Sequence, residues 1–88
     1  MLEETVEIIN KAGLHARAAS KMVELTSSFA SDIKVGHEKL VDGKSILALM
    51  MLAAVKGTNI RIIVDGPDEK KALTAICELV NNRFDESV

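Results

Sequence analysis

The segment Gly13-Leu14-His15-Ala16-Arg17 sets an imidazole and a guanidinium two residues apart, where a loop turns into a helix. Helix starts favour Ser, Thr, Asp or Asn, whose side-chain oxygens accept from the unpaired N–H groups of the first turn. Histidine is a poorer cap, so something other than helix stability selects it here. Phosphoryl chemistry on the imidazole fits the position. Unpaired N–H groups and the positive end of the helix dipole form a ready anion site. Phosphate oxygens would be held around Gly13 and Ala16, and the Arg17 guanidinium would neutralise charge on the transferring group. Gly13 gives the loop its backbone freedom. The plain alternative is an exposed His and Arg with no role.

The elements that must position this segment follow from hydrophobic periodicity. Thr5 to Ile9 alternates, with Val6 and Ile8 on one side, and reads as a half-buried strand. The spacing of Ala19, Met22, Val23 and Phe29 predicts a helix from Ala16 to about Phe29. Ile33 and Val35 alternate with Asp32 and Lys34, and Gly36-His37-Glu38 turns that strand into a short one over Lys39 to Asp42. Ser45 is placed to cap a helix from Ile46 to about Ala53, and Lys56-Gly57 stops it. Ile60, Ile62 and Val64 mark the fourth strand. Gly66-Pro67-Asp68 is a turn and cap before a last helix striped by Ala72, Leu73, Ile76, Leu79 and Val80. Phe84 extends that stripe, and the tail from Asp85 to Val88 is expected to fray. The order is βαββαβα. Each strand has one apolar face, which fits a sheet covered by helices on a single side, an α+β open-faced two-layer sandwich.

Eighty-eight residues form one small domain, with no room for a separate catalytic one. Eleven basic residues against thirteen acidic ones argue against a nucleic-acid partner. With no Trp or Tyr and two Phe, a base-stacking platform is missing as well. The lone Cys77 permits no intrachain disulfide, the N-terminus lacks a signal peptide's pattern, and Ile46 to Val55 is too short to span a bilayer. These features predict a soluble cytoplasmic domain without membrane insertion. His37 reads as a solvated turn residue and Cys77 as a small buried one. No pairing of His15, His37 and Cys77 has metal-site spacing.

The run Asn10 to Ala19 resembles the active-site segment of the HPr family, the histidine-containing phosphocarriers of the bacterial phosphoenolpyruvate-dependent phosphotransferase system of sugar transport. Gly43-Lys44-Ser45-Ile46 is similar to that family's regulatory-serine region, and the likeness spans essentially residues 1–88 as a single HPr-like domain. The resemblance implies a four-stranded antiparallel sheet with three helices on one face. It implies a monomeric, stoichiometric carrier, not an enzyme, with no cofactor or metal of its own. Enzyme I would phosphorylate His15 on Nδ1, with Arg17 assisting, and phospho-His15 would pass the group to IIA proteins or domains. A serine kinase acting on Ser45 would add regulation. Ala18 departs from the family's usual Pro and keeps a backbone donor that Pro would remove. The apolar run after Ser45 and the ending Asn82 to Glu86 resemble the nitrogen-related branch more than the sugar branch.

The helix after Ser45 carries apolar residues all round, although a helix on a one-sided sheet buries only one stripe. Some of them should stay exposed. By the resemblance, Leu47 and Met50, three apart and so on one face, belong with Ala19 to a partner-docking patch. Flexible Met suits a surface that accepts several partners. Met50 and Met51 as core filler is the competing reading. Two other functions compete as well. A small-molecule regulatory module of ACT or ferredoxin-like type would share the connectivity but leave His15 and Arg17 unexplained. An HPr-like regulator acting only through Ser45 would not need His15.

Overall fold

The computed structural model describes Met1–Val88. The elements run β1 (Leu2–Glu7), α1 (Ala16–Thr26), β2 (Asp32–Gly36), β3 (Leu40–Asp42), α2 (Ile46–Met51), β4 (Asn59–Asp65) and α3 (Glu69–Asn81), in the predicted order. All strand pairs are antiparallel, and the sheet order is β1-β4-β2-β3. Register places Val6 opposite Ile60, Ile62 opposite Val35 and Val64 opposite Ile33, so alternate residues of three strands fill one face. The helices cover that face around a single core of 17 residues, among them Met22, Leu49, Ile76 and Phe84. Each fully buried Ile or Val there stabilises the fold by about 1.5–3 kcal/mol. The opposite face is polar apart from Ile63, with Arg61 donating to Glu3 across it.

Several boundaries differ from the sequence expectation for identifiable reasons. β1 begins at Leu2, because main-chain pairing with β4 runs from Leu2–Val64 to Glu7–Asn59 whatever the side chains of Glu3 and Glu4. α1 ends at Thr26 and does not reach Phe29. The Thr26 hydroxyl donates to Val23 and Gly43 carbonyls, and the Ser28 hydroxyl donates to Leu25, so side chains satisfy the last turn. α2 stops at Met51, and Ala53 turns the chain away with a left-handed φ of 52°. Cys77 is half-buried, not fully enclosed, and burial, aided by the charge of Glu4, raises its thiol's pKa.

Asp68 sits at the N-cap of α3 yet makes no capping bond. Its carboxylate reaches across to the α1–β2 loop and accepts from Ser31 Oγ at 2.5 Å and from the N–H groups of Ala30 and Ser31 at 2.9 and 3.0 Å. These bonds, the Ser31 hydroxyl first, hold the Asp68 carboxyl below the usual Asp range. The depression exists only in the folded state, so this tie contributes fully above the ordinary Asp value of about 4 and is lost on acidification toward the lower folded value. Thermal melts should therefore show wild type losing stability below about pH 4 and Asp68→Asn losing less over the same window. Equal acid losses in both would contradict the assignment.

The tail does not fray, and Phe84 does not extend α3. After Asn81 the chain reverses through Arg83, Phe84 and Asp85, whose φ angles are 56°, 51° and 64°. Such left-handed positions cost L-residues roughly 1 kcal/mol each. Phe84 offsets this by burying its ring completely in the core. The segment is then tied down where the Lys11 N–H donates to the Val88 carbonyl at 3.1 Å.

Candidate phosphoryl-transfer site

His15 occupies the N-cap of α1 with extended backbone (φ −83°, ψ −176°), and its carbonyl accepts from the Ala19 N–H at 2.8 Å. Its side chain makes no capping bond. As a result the N–H groups of Ala16, Arg17 and Ala18 donate to nothing within the protein. A Ser or Asp cap would have occupied one of these donors. With the helix dipole behind them they form an anion site at the base of the imidazole. Ala18 thus keeps a free donor where Pro would have none.

The loop leading into the helix is fixed from below. Leu14 is buried, and its N–H donates to the Ala54 carbonyl at 2.8 Å. Gly13 has φ 70°, and a Cβ there would lie 2.5 Å from that same carbonyl oxygen, so only glycine fits. The Gly13 N–H is spent on the Asn10 carbonyl at 3.2 Å, so Gly13 shapes the loop and supplies no free donor to phosphate.

The His15 ring is half-buried, with 35% of the side chain exposed. Its Nε2 lies 2.5 Å from Glu86 Oε2. Asn10, wholly buried, donates from Nδ2 both to the Gly13 carbonyl at 2.8 Å and to Glu86 Oε1 at 3.0 Å. Burial pushes the Glu86 carboxyl upward, but hydrogen bonds from Asn10 and His15 and the charges of His15 and Arg17 outweigh it, leaving the group below the usual Glu range. Arg17 is exposed and has no hydrogen bond or ion pair in the protein, so its guanidinium is available to an incoming anion. His15, Arg17, Lys21, Phe84 and Glu86 share the walls of an open cavity of about 630 Å³.

Ser45 caps α2, its Oγ accepting from the Ala48 N–H at 3.2 Å. Leu49 is the one buried residue of α2, and Leu47 and Met50 are 70% and 40% exposed beside Met51 and Ile46. Ala19, expected on the docking patch, is instead fully buried, because the helical stripe that carries it faces the sheet. It backs the site from inside. His37 is exposed, with Nε2 3.2 Å from the Leu52 carbonyl. No group of three His, Cys, Asp or Glu side chains could hold a metal ion, and no helix is long and apolar enough to cross a membrane.

Sequence reasoning missed Glu86 and the clamp made by Asn10. Asn before a Gly turn is a weak signal for the clamp. Nothing in an acidic tail 71 residues away points to His15.

Comparison with known proteins shows the family. A family model described as "PTS HPr component phosphorylation site" matches residues 2–82. The phosphocarrier protein HPr of Pseudomonas aeruginosa is 54% identical over 83 residues, 92% of each chain. That of Neisseria meningitidis serogroup A is 49% identical over 87 residues, 98% of each chain. The crystal structure of HPr-C-His from Thermoanaerobacter tengcongensis superposes with a TM-score of 0.95 at 39% identity, over the full length of both chains. A match that runs unbroken from β1 through the His15 loop to the end of α3 places this chain in the HPr family, the phosphocarriers of the phosphotransferase system.

Proposed function

We propose that His15 accepts a phosphoryl group on Nδ1 from phosphorylated enzyme I and passes it to a IIA protein or domain. The observation that carries this reading is the set of three free N–H groups at Ala16, Arg17 and Ala18 beside the imidazole. Those of Ala16 and Arg17, on exposed residues, are open to phosphate oxygens, whereas Ala18 is buried behind them. The unpaired Arg17 guanidinium neutralises charge that spreads over those oxygens during transfer. The protein acts as a monomeric carrier, loaded and unloaded once per cycle, and the chemistry asks for no cofactor.

Leu47 and Met50 form the surface on which enzyme I and the acceptors dock, and a kinase acting on Ser45 would place charge at its edge. A charge there opposes docking because it must be desolvated when the apolar patch is covered. Steady-state phosphorylation by enzyme I separates these roles. Arg17→Ala should lower kcat by roughly ten- to a hundredfold, with little change in Tm. Ser45→Asp and Leu47→Glu should instead raise KM and leave kcat close to wild type. Ser45→Asp should also be at least as stable as the parent, since a carboxylate at a helix start stabilises by about 0.3–1 kcal/mol. If Ser45→Asp and Leu47→Glu both load like wild type, α2 is not the docking surface. Unchanged transfer by Arg17→Ala would show that the backbone donors suffice.

A further inference from the structure

We propose that Glu86 is a positioning residue whose carboxylate fixes the proton of the His15 ring on Nε2 and thereby leaves Nδ1 as the nucleophile. The assignment rests on the reading of His15 as phosphoryl acceptor. An ionised carboxylate only accepts hydrogen bonds, so the ring nitrogen 2.5 Å from it must carry the hydrogen. A neutral imidazole has a single N–H, so Nδ1 then holds a lone pair. Nδ1 makes no hydrogen bond within the protein.

Glu86 is itself held in place. Asn10 Nδ2 bridges Glu86 Oε1 to the Gly13 carbonyl, tying the tail to the loop that carries His15. Phe84 anchors the reversing turn in the core, and the Val88 carbonyl accepts from the Lys11 N–H on the far side. Three successive left-handed residues, their cost offset by the burial of Phe84, bring the carboxylate to this spot.

The contact strengthens as transfer proceeds. The Nδ1 lone pair forms the bond to phosphorus while the bond from phosphorus to the donor's atom breaks, and that electron pair leaves with the donor. Nε2 keeps its proton, the ring becomes cationic, and the neighbouring carboxylate stabilises the developing charge. No proton has to leave the site.

Nitrogen-15 spectra of histidine-labelled protein at about pH 8.5, two units above the ordinary imidazole value, report the tautomer directly. Wild type should show Nε2 protonated and Nδ1 bare, whereas Glu86→Ala and Glu86→Gln should show averaged shifts from a mixture. Glu86→Ala should also be phosphorylated by enzyme I about tenfold more slowly at unchanged KM, since a hydrogen bond to a charged group is lost. Identical nitrogen shifts in all three proteins, or a wild-type ring protonated on Nδ1, would overturn the proposal. The wild-type spectrum decides even if a variant fails to fold. A wild-type ring with the expected tautomer that enzyme I cannot phosphorylate would instead sink the phosphocarrier reading and leave the tautomer assignment standing.

Discussion

His15→Ala is expected to give a folded protein that accepts no phosphoryl group from enzyme I. The imidazole is the nucleophile set at the N-cap of α1, beside its free donors, and the hydroxyl of Ser45 belongs to another helix. No other side chain takes the N-cap place of the imidazole against the helix start, so the effect should be complete, not partial. Stability should change little. His15 makes no capping bond, so alanine removes none, and the two are both poor caps. The one bond lost is that to Glu86, whose carboxylate is left with Asn10 and with partial access to solvent. Circular dichroism and thermal melts establish the fold, and labelling by enzyme I reads the function. Labelling of folded His15→Ala to the wild-type level would rule out His15 as the acceptor.

Phe84→Ala should be the most damaging single change outside the site. The ring is fully buried, and large-to-small replacements of this kind cost about 3–5 kcal/mol through lost burial and the cavity left behind. For a domain of this size each kcal/mol lowers Tm by roughly 4–8 °C, so a fall of more than 10 °C is expected. The loss should not be uniform. Without its anchor, the left-handed turn at Arg83–Asp85 has nothing to offset its strain, so the tail should detach first and release Glu86 from His15. Hydrogen exchange should show the Lys11 N–H, which donates to the Val88 carbonyl, losing protection ahead of the core strands. Retained protection at Lys11 together with an unchanged Tm would show that the tail is not held by Phe84.

Most of the architecture was legible because it depends on periodicity. Ile60, Ile62 and Val64 face inward whatever surrounds them, and the single apolar face of each strand implied helices on one side only. His15 stood out because its residue type conflicts with its place at a helix start. The misreadings arise where distant contacts overrule local preference. Asp68 has the right type for a cap, but Ala30 and Ser31 lie within reach and compete for its carboxylate. Arg83, Phe84 and Asp85 carry no Gly or Asn to announce left-handed backbone, and the turn exists because burying Phe84 outweighs its cost. Ala19 was legible as an inner residue, since it shares the apolar stripe of Met22, and only the resemblance set it on the docking patch. Glu86 could not be found from sequence at all, since only the folded tail brings it to His15.

The chemical stability of the transferred label tests the function of His15 most directly. The protein is incubated with enzyme I and labelled phosphoenolpyruvate, isolated, and exposed in parallel to acid and to base. Phosphohistidine on His15 predicts a label lost in acid, kept in base and recovered on the peptide that contains Gly13 to Arg17. A label that survives acid and maps to Ser45, or no label on the folded protein, would contradict it.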